Sequence, residues 1–156
     1  MDTFSEDFAE NDYSNFLTRK SIAMGYDLSK LKGGRVYYKP SLSNGQTELY
    51  FRSGKAKIVA GNKNAPWLQT TANAENFLVH EWGHVGQLAL GPLGPDNPLY
   101  LRELDAIAGQ FAHPSWRLVT SEFRGATERY WNKWYEPFLY PHLQSDRHYI
   151  YGRNFR

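Results

Sequence analysis

The order of apolar and polar residues divides the chain into a helical start, a β-rich middle and a long helical half. Residues 3–24 are predicted to form a helix, because acidic residues crowd its start and Arg19 and Lys20 come late, which suits the helix dipole. Gly25 is suited to end this helix.

Three segments in the middle of the chain are predicted to be strands. Residues 35–39 are rich in β-forming side chains and stop at Pro40. Residues 47–51 and 56–59 follow, and Ser53-Gly54 predicts a tight turn between them. We therefore expect a small antiparallel or mixed sheet.

Helices are predicted for most of the rest. The first covers about residues 73–90 and ends at Gly91-Pro92. The second is predicted to begin with Asn97 as its cap and Pro98 at its first position, and to reach about Phe111. The third is expected over about residues 114–135. The order helix, small sheet, helices indicates an α+β domain.

The composition excludes several classes of protein. The 156 residues, 41% of them hydrophobic, suit one domain over residues 1–156. The 18 basic and 16 acidic residues are too balanced to predict nucleic-acid binding. No apolar run approaches the length of a membrane span, and the acidic start lacks the pattern of a signal peptide. Because the chain has no cysteine, any metal ion must be held by His, Asp or Glu.

The segment His80-Glu81-Trp82-Gly83-His84 carries the clearest chemistry. On a helix, His80 and His84 lie on one face, one turn apart, and can bind one zinc ion. Glu81 is rotated by about 100° from His80 and can face a water molecule on the metal, from which it would take a proton as general base. The segment therefore predicts a catalytic Zn²⁺ site.

The neighbouring residues fit this geometry. A stripe that should face the core lies opposite the side that carries His80, His84 and Gln87; the stripe consists of Leu78, Trp82, Val85 and Ala89. Gly83 and Gly86 are poor helix formers, which is understandable if another segment or a substrate comes close.

A catalytic zinc ion needs a third protein ligand. Gln87 and Leu90 stand where a metzincin would have Gly and His, so that class is excluded. Glu103 and its rival Asp105 lie on the next predicted helix, point in nearly opposite directions and both border its expected core stripe, which consists of Leu104, Ala108 and Phe111. Angle alone leaves the choice between the two carboxylates open.

His80-Glu81-x-x-His84 followed by Glu103-Leu104-Asp105-Ala106 resembles the gluzincin branch of the zincin metallopeptidases over about residues 73–112. The resemblance implies a zincin-like fold, Glu103 as third metal ligand, and a substrate-binding edge strand, for which residues 55–59 are the candidate. Ile107 stands where several gluzincins have an Asp that supports a histidine, so Gln87 or Asp105 is expected to take that part.

The longer string His80-Glu81-Trp82-Gly83-His84-Val85-Gly86-Gln87 is similar, more loosely, to the HExxHVxQ string of metallopeptidase domains in bacterial polymorphic toxins. This resemblance implies a toxin or effector domain that is secreted or delivered within a larger protein. The expected partners are a protein or peptide substrate and an immunity or carrier protein, with no nucleic acid.

Other residues were weighed for the site. One of His148, Tyr149 and Tyr151 could donate to the oxyanion, with Tyr149 as the candidate; the alternative, which the sequence favours, is plain packing or solvent exposure. His113 is predicted to be a cap or surface residue, and His142 lies in the aromatic tail. One aromatic set at helical spacing is expected to supply core and a partner-facing edge: Tyr130, Trp131, Trp134, Tyr135 and Phe138.

Two classes of function follow. The first is a zinc hydrolase that cleaves peptide bonds in proteins or in peptidoglycan stem peptides. The alternative is a non-catalytic binding or effector module whose HExxH site is structural or degenerate. Metal content and the effect of Glu81→Gln distinguish them.

Overall fold

The computed structural model describes residues 10–62 and 66–139. Four α-helices and a three-stranded sheet make up an α+β fold. In chain order, the elements are α1 (Glu10–Ala23), β1 (Tyr37–Lys39), β2 (Gln46–Tyr50), β3 (Lys55–Gly61), α2 (Thr71–Gly86), α3 (Leu99–Ala112) and α4 (Ser121–Leu139). Short 3-10 helices lie between them, at Leu28–Lys30, Lys32–Gly34, Pro66–Leu68, Gln87–Leu90 and Pro114–Leu118.

The sheet is mixed and has the order β1-β3-β2. β3 pairs in parallel with β1 and antiparallel with β2, with Thr47 opposite Ile58. The expectation that residues 55–59 form an edge strand is wrong, since β3 is hydrogen-bonded on both sides. β3 is also the strand with the longest buried run, as a central strand should be. Of the described strands, β1 and β2 form the edges.

α1 and α2 pack on the sheet around one apolar core. Its fully buried members include Leu17, Val36, Leu49, Ile58 and Leu78. Polar anchors fix the helices at its edge. The indole of Trp82 donates to Ser21 Oγ over 2.9 Å, which ties α2 to α1. The predicted stripe of α2 is therefore buried, except for Ala89, which is exposed because α2 ends at Gly86.

α3 and α4 cover the other side of α2 and share a second apolar cluster around Leu99, Ile107 and Trp134. The predicted core stripe of α3 is correct only in part: Leu104 and Phe111 are half-buried and pack against this cluster, whereas Ala108 is exposed. The buried face instead carries Leu99, Arg102, Glu103, Ala106, Ile107 and Gln110. Three of these buried side chains are polar, which is uncommon for a helix face packed in a protein interior.

Two predicted helix starts also differ. Asn97 does not cap α3, because its amide donates to Leu90 O over 3.1 Å and accepts from Arg102 Nε over 3.0 Å. α4 begins at Ser121 rather than near residue 114, since the Thr120 hydroxyl accepts from the Phe123 amide over 3.2 Å. His113 caps the separate 3-10 helix before it. α4 also continues past Pro137, to Leu139.

Among the described residues, no helix is both long enough and apolar enough to cross a membrane.

Candidate metal centre

Helix α2 presents both histidines of the motif to α3. Thr70 caps α2 by accepting from the Asn73 amide over 3.1 Å, so the helix is regular well before the motif. His80 and His84 lie one turn apart, and their Nε2 atoms are 3.1 Å from each other. The two imidazoles therefore converge on one point.

Glu103 of α3 reaches the same point. Its Oε2 lies 3.3 Å from His80 Nε2, and its Oε1 lies 3.5 Å from His84 Nε2. The helices can come this close because Gly83 faces Ala106: a Cβ at Gly83 would lie 3.4 Å from the Ala106 Cα. Asp105, the rival of Glu103, is exposed.

The separations of these atoms are compatible with zinc ligands. Zinc binds imidazole and carboxylate atoms at about 2.0–2.2 Å, so tetrahedral ligand atoms lie about 3.3 Å apart. Here the two Nε2 atoms are 3.1 Å apart, and they lie 3.3 and 3.5 Å from different oxygens of the Glu103 carboxylate, Oε2 and Oε1. Within the described chain, His80, His84 and Glu103 are the group of side chains that could hold a metal ion.

Two glutamines set the protonation of the imidazoles. Gln87 Nε2 donates to the Arg102 carbonyl over 2.8 Å, so its Oε1 must be the atom that lies 2.9 Å from His84 Nδ1. Gln110 Oε1 lies 2.9 Å from His80 Nδ1 in the same way. Because an amide oxygen only accepts, each Nδ1 must carry a proton.

The orientation of Gln110 is fixed by a further amide. Asn76 Nδ2 donates to the Gln110 carbonyl and to Ser115 Oγ, each over 3.0 Å. Asn76 Oδ1 must then be the acceptor for Gln110 Nε2, also at 3.0 Å. Both glutamine orientations thus depend on backbone carbonyls, which can only accept hydrogen bonds.

With Nδ1 engaged by a glutamine, each imidazole turns Nε2, its remaining metal-binding atom, toward Glu103. Two Nε2 lone pairs and a carboxylate at these distances would repel one another, so the place between them suits a cation, either a proton on Nε2 or a metal ion. Glu103 Oε2 is buried and accepts no hydrogen bond within the described part of the chain. The donor set and its unsatisfied oxygen therefore fit a divalent metal ion.

The charges of the centre also favour a cation. Burial lowers the pKa of His84, but the Glu103 carboxylate outweighs it and raises this pKa to about 9. Burial likewise raises the pKa of Glu103, whereas His84 and His80 hold it well below its ordinary value. A proton and a metal ion compete for the same place, so metal affinity should increase with pH.

Glu81 lies beside this group but is not part of it. Its side chain is buried, and Oε2 accepts from Thr47 Oγ1 of β2 over 2.5 Å. Glu81 and His80 both line a cleft of about 370 Å³. The carboxylate is thus held at the wall of an accessible space next to the histidines, as a general base requires.

Tyr130 of α4 lines the same cleft, although its sequence pattern predicted a core or partner-facing residue. Its ring centroid lies 6.1 Å from that of His80. Burial, with the carboxylates of Glu103 and Glu81, raises the pKa of Tyr130 well above its ordinary value. The phenol therefore keeps its proton and is a hydrogen-bond donor at the cleft. Helical spacing alone carried no signal that distinguishes it from its aromatic neighbours.

The remaining candidates lie elsewhere. His113 Nδ1 is 2.8 Å from Ser115 Oγ and serves as a cap, as predicted. Tyr149, the residue predicted to donate to the oxyanion, lies outside the described residues, as do His142, His148 and Tyr151.

No protein-family model, no curated protein and no solved structure matches this chain. Its function is therefore inferred from the geometry of the residues described above.

Proposed function

We propose that the protein is a zinc-dependent hydrolase that cleaves peptide (amide) bonds. One observation carries the proposal: the Nε2 atoms of two imidazoles, each with its Nδ1 held by a glutamine, converge with the carboxylate of Glu103 at separations compatible with zinc ligands. These are three protein ligands, as in catalytic zinc sites, which keep a fourth position open.

The neighbouring groups support catalysis rather than a structural role. A zinc ion held by His80, His84 and Glu103 would polarise a substrate carbonyl and lower the pKa of water. Glu81, oriented by Thr47, takes the proton from the attacking water and delivers it to the leaving amine. The Tyr130 hydroxyl donates to the carbonyl oxygen as negative charge develops on it. A zinc site with only a structural role would not need an accessible cleft beside a buried carboxylate.

The order of elements also supports the proposal that the protein is a gluzincin-type zincin. A small sheet precedes the helix with both histidines, and the next helix carries the glutamate, as the resemblance to gluzincin-type zincins implies. The edge strand next to α2 is β2 rather than β3, so β2 is the strand to which an extended substrate would add. Delivery as a toxin or effector domain, with an immunity or carrier protein, stays a prediction.

Metal content tests the proposal directly. We expect purified protein to carry about one zinc per chain, because three ligands of this type form an open zinc site. Elemental analysis after chelator-free purification measures it. A zinc content near zero that stays there after zinc is added would contradict the proposal and favour the non-catalytic module.

Tyr130→Phe tests the oxyanion donor. We expect kcat to fall by about 100-fold with little change in zinc content, since removal of one such donor costs about 100- to 1000-fold. Steady-state kinetics on a fluorogenic peptide measure this effect. Tyr135→Phe, the same change five residues later on another face of α4, is the matched control and should retain activity. Equal kinetics for wild type and Tyr130→Phe would show that Tyr130 is not the oxyanion donor. His148, Tyr149 and Tyr151 would then be the residues to test.

A further inference from the structure

The cleft beside the candidate metal centre has a size and a lining that limit which side chains it can bind. It lies between the turn before β2, the 3-10 helix Pro66–Leu68, the middle of α2 and one face of α4, and it encloses about 370 Å³. Pockets of this size accommodate small organic ligands, so a side chain as large as a benzyl group has room. His80 and Glu81 form one wall, which means that whatever enters lies next to the reacting groups.

The other walls combine aromatic rings with polar side chains, among them Asn44, Gln110 and Thr127. Trp67, Phe77 and Phe123 line the cleft, and the rings of Trp67 and Phe77 are stacked with their centroids 6.1 Å apart. Their polar neighbours are largely engaged: the Trp67 indole donates to Gly61 O over 3.2 Å, and the Thr127 hydroxyl donates to Phe123 O over 2.9 Å. The surface offered to a ligand is therefore mainly apolar.

Gly45 lets the turn before β2 pack closely on the cleft. A Cβ at Gly45 would lie 2.2 Å from Phe77 Cε2 and 3.5 Å from Glu81 Oε1. The backbone of the turn therefore packs directly on the Phe77 ring, without a side chain between it and the carboxylate. A ligand that enters beside Phe77 meets this turn close to Glu81.

The charges around the cleft disfavour a cationic side chain. Among its described lining residues, Glu81 is the one carboxylate, and it accepts from Thr47 at the catalytic end. Lys133 also lines the cleft; it is exposed, and its Nζ lies 5.7 Å from the centroid of the Tyr130 ring. An amine in the cleft would meet a like charge and aromatic walls, and would be removed from water without a carboxylate of its own.

We infer that this cleft is a subsite for a bulky apolar side chain, above all an aromatic one, of a polypeptide substrate at the scissile bond. The inference rests on the proposed function and decides between its two substrate classes. Stem peptides of peptidoglycan present methyl groups, carboxylates and amines, which this surface does not match. Polypeptides with aromatic residues do match it.

Binding of small hydroxamates to zinc-loaded protein tests the inference without turnover. Acetohydroxamate occupies the metal alone, 3-phenylpropanohydroxamate adds an aromatic ring, and 6-aminohexanohydroxamate adds an amine. Calorimetric titration should show the phenyl compound binding about 10- to 100-fold more tightly than acetohydroxamate, because the ring is buried in the cleft. The amine should gain nothing over acetohydroxamate.

A variant tests whether the phenyl ring binds in this cleft. Ala126→Phe, on the α4 face that lines the cleft, should reduce the advantage of the phenyl compound to less than about 3-fold while acetohydroxamate binds as before. Retained acetohydroxamate binding shows that the variant is folded. Ala108→Phe, on the exposed face of α3, is the matched control and should leave the preference intact.

Three results overturn the inference, and they are distinguishable. Zinc-dependent binding of all three compounds with equal affinity, or tightest binding of the amine, contradicts the aromatic subsite but leaves the zinc hydrolase standing. If Ala126→Phe prefers the phenyl compound over acetohydroxamate as strongly as wild type does, the phenyl ring binds outside the cleft. Absence of any zinc-dependent binding removes the proposed function together with the subsite.

Discussion

Replacement of Glu81 by Gln is expected to abolish peptide hydrolysis while zinc content and thermal stability stay near those of wild type. Glu81 lies outside the group of converging ligand atoms, so its loss should not weaken metal binding. Gln keeps the shape of the side chain and can still pair with the Thr47 hydroxyl, which at present donates to Glu81 over 2.5 Å. What disappears is the basic oxygen that accepts the proton of water, and we expect kcat to fall by about 1000-fold or more.

Glu75→Gln provides the matched control for this experiment. Glu75 lies on α2 as well, but it pairs with Lys20 on the side of α1, away from the cleft. An exposed or half-exposed ion pair contributes little, about 0–1 kcal/mol, so the control should remain folded and active. If Glu81→Gln loses its zinc, Glu81 is a ligand rather than a base. If it keeps both zinc and activity, another group accepts the proton.

The sequence predicted the motif helix because its local signals and its tertiary role agree. Leu78, Trp82 and Val85 are apolar at helical spacing and are buried in the core that α2 shares with the sheet. His80 and His84 then fall on the other side, and the close approach predicted from Gly83 is found at Ala106 of α3. A Cβ placed on Gly86 would have no atom of another described segment within 4 Å, so the described residues show no close approach there.

The face of α3 could not be predicted, because it violates the rule on which such predictions depend. Apolar spacing selected Leu104, Ala108 and Phe111, whereas Arg102 and Glu103 are 1% and 6% exposed. Buried charges are uncommon unless they are paired or bind a ligand, so a pattern of hydrophobicity assigns them to the surface. The error therefore lies at the candidate site, where local rules are expected to fail.

The partners of the histidines were only partly predictable. Gln87 was one of two expected supports for a histidine, and its Oε1 indeed lies 2.9 Å from His84 Nδ1. Asp105, the other, is exposed. Gln110 follows His80 by thirty positions and is brought to it by the packing of α3 on α2, which depends on long-range contacts that no local pattern encodes.

The second large effect is expected at Glu103. Glu103→Ala and the isosteric Glu103→Gln should both weaken zinc binding by more than the about 10- to 100-fold typical for loss of a group that only supports a ligand. The reason is direct: the carboxylate supplies one of three converging atoms and the negative charge that raises the pKa of His84 to about 9. Competition with a chromogenic chelator at fixed pH measures the affinity.

Two other variants provide the zinc affinities with which the loss at Glu103 is compared. Gln87→Ala removes the acceptor that holds His84 Nδ1 in its protonated form, so we expect zinc affinity to fall by about 10- to 100-fold. Asp105→Ala, two residues from Glu103 but exposed, should change affinity by less than about 3-fold, since a solvent-screened charge acts weakly on the site. The expected order of loss is thus Glu103, then Gln87, then Asp105.

This order separates a metal ligand from a buried ion-pair partner. If Glu103 only neutralised protonated histidines, Glu103→Gln would lower the pKa of His84, remove the competing proton and leave zinc bound as tightly as in wild type near pH 7. If Glu103 is a ligand, the same variant loses zinc at every pH at which the protein is folded, because the missing bond is not restored by deprotonation. Wild-type affinity in Glu103→Gln, with a large loss in Asp105→Ala, would exclude the gluzincin assignment and make Asp105 the third ligand.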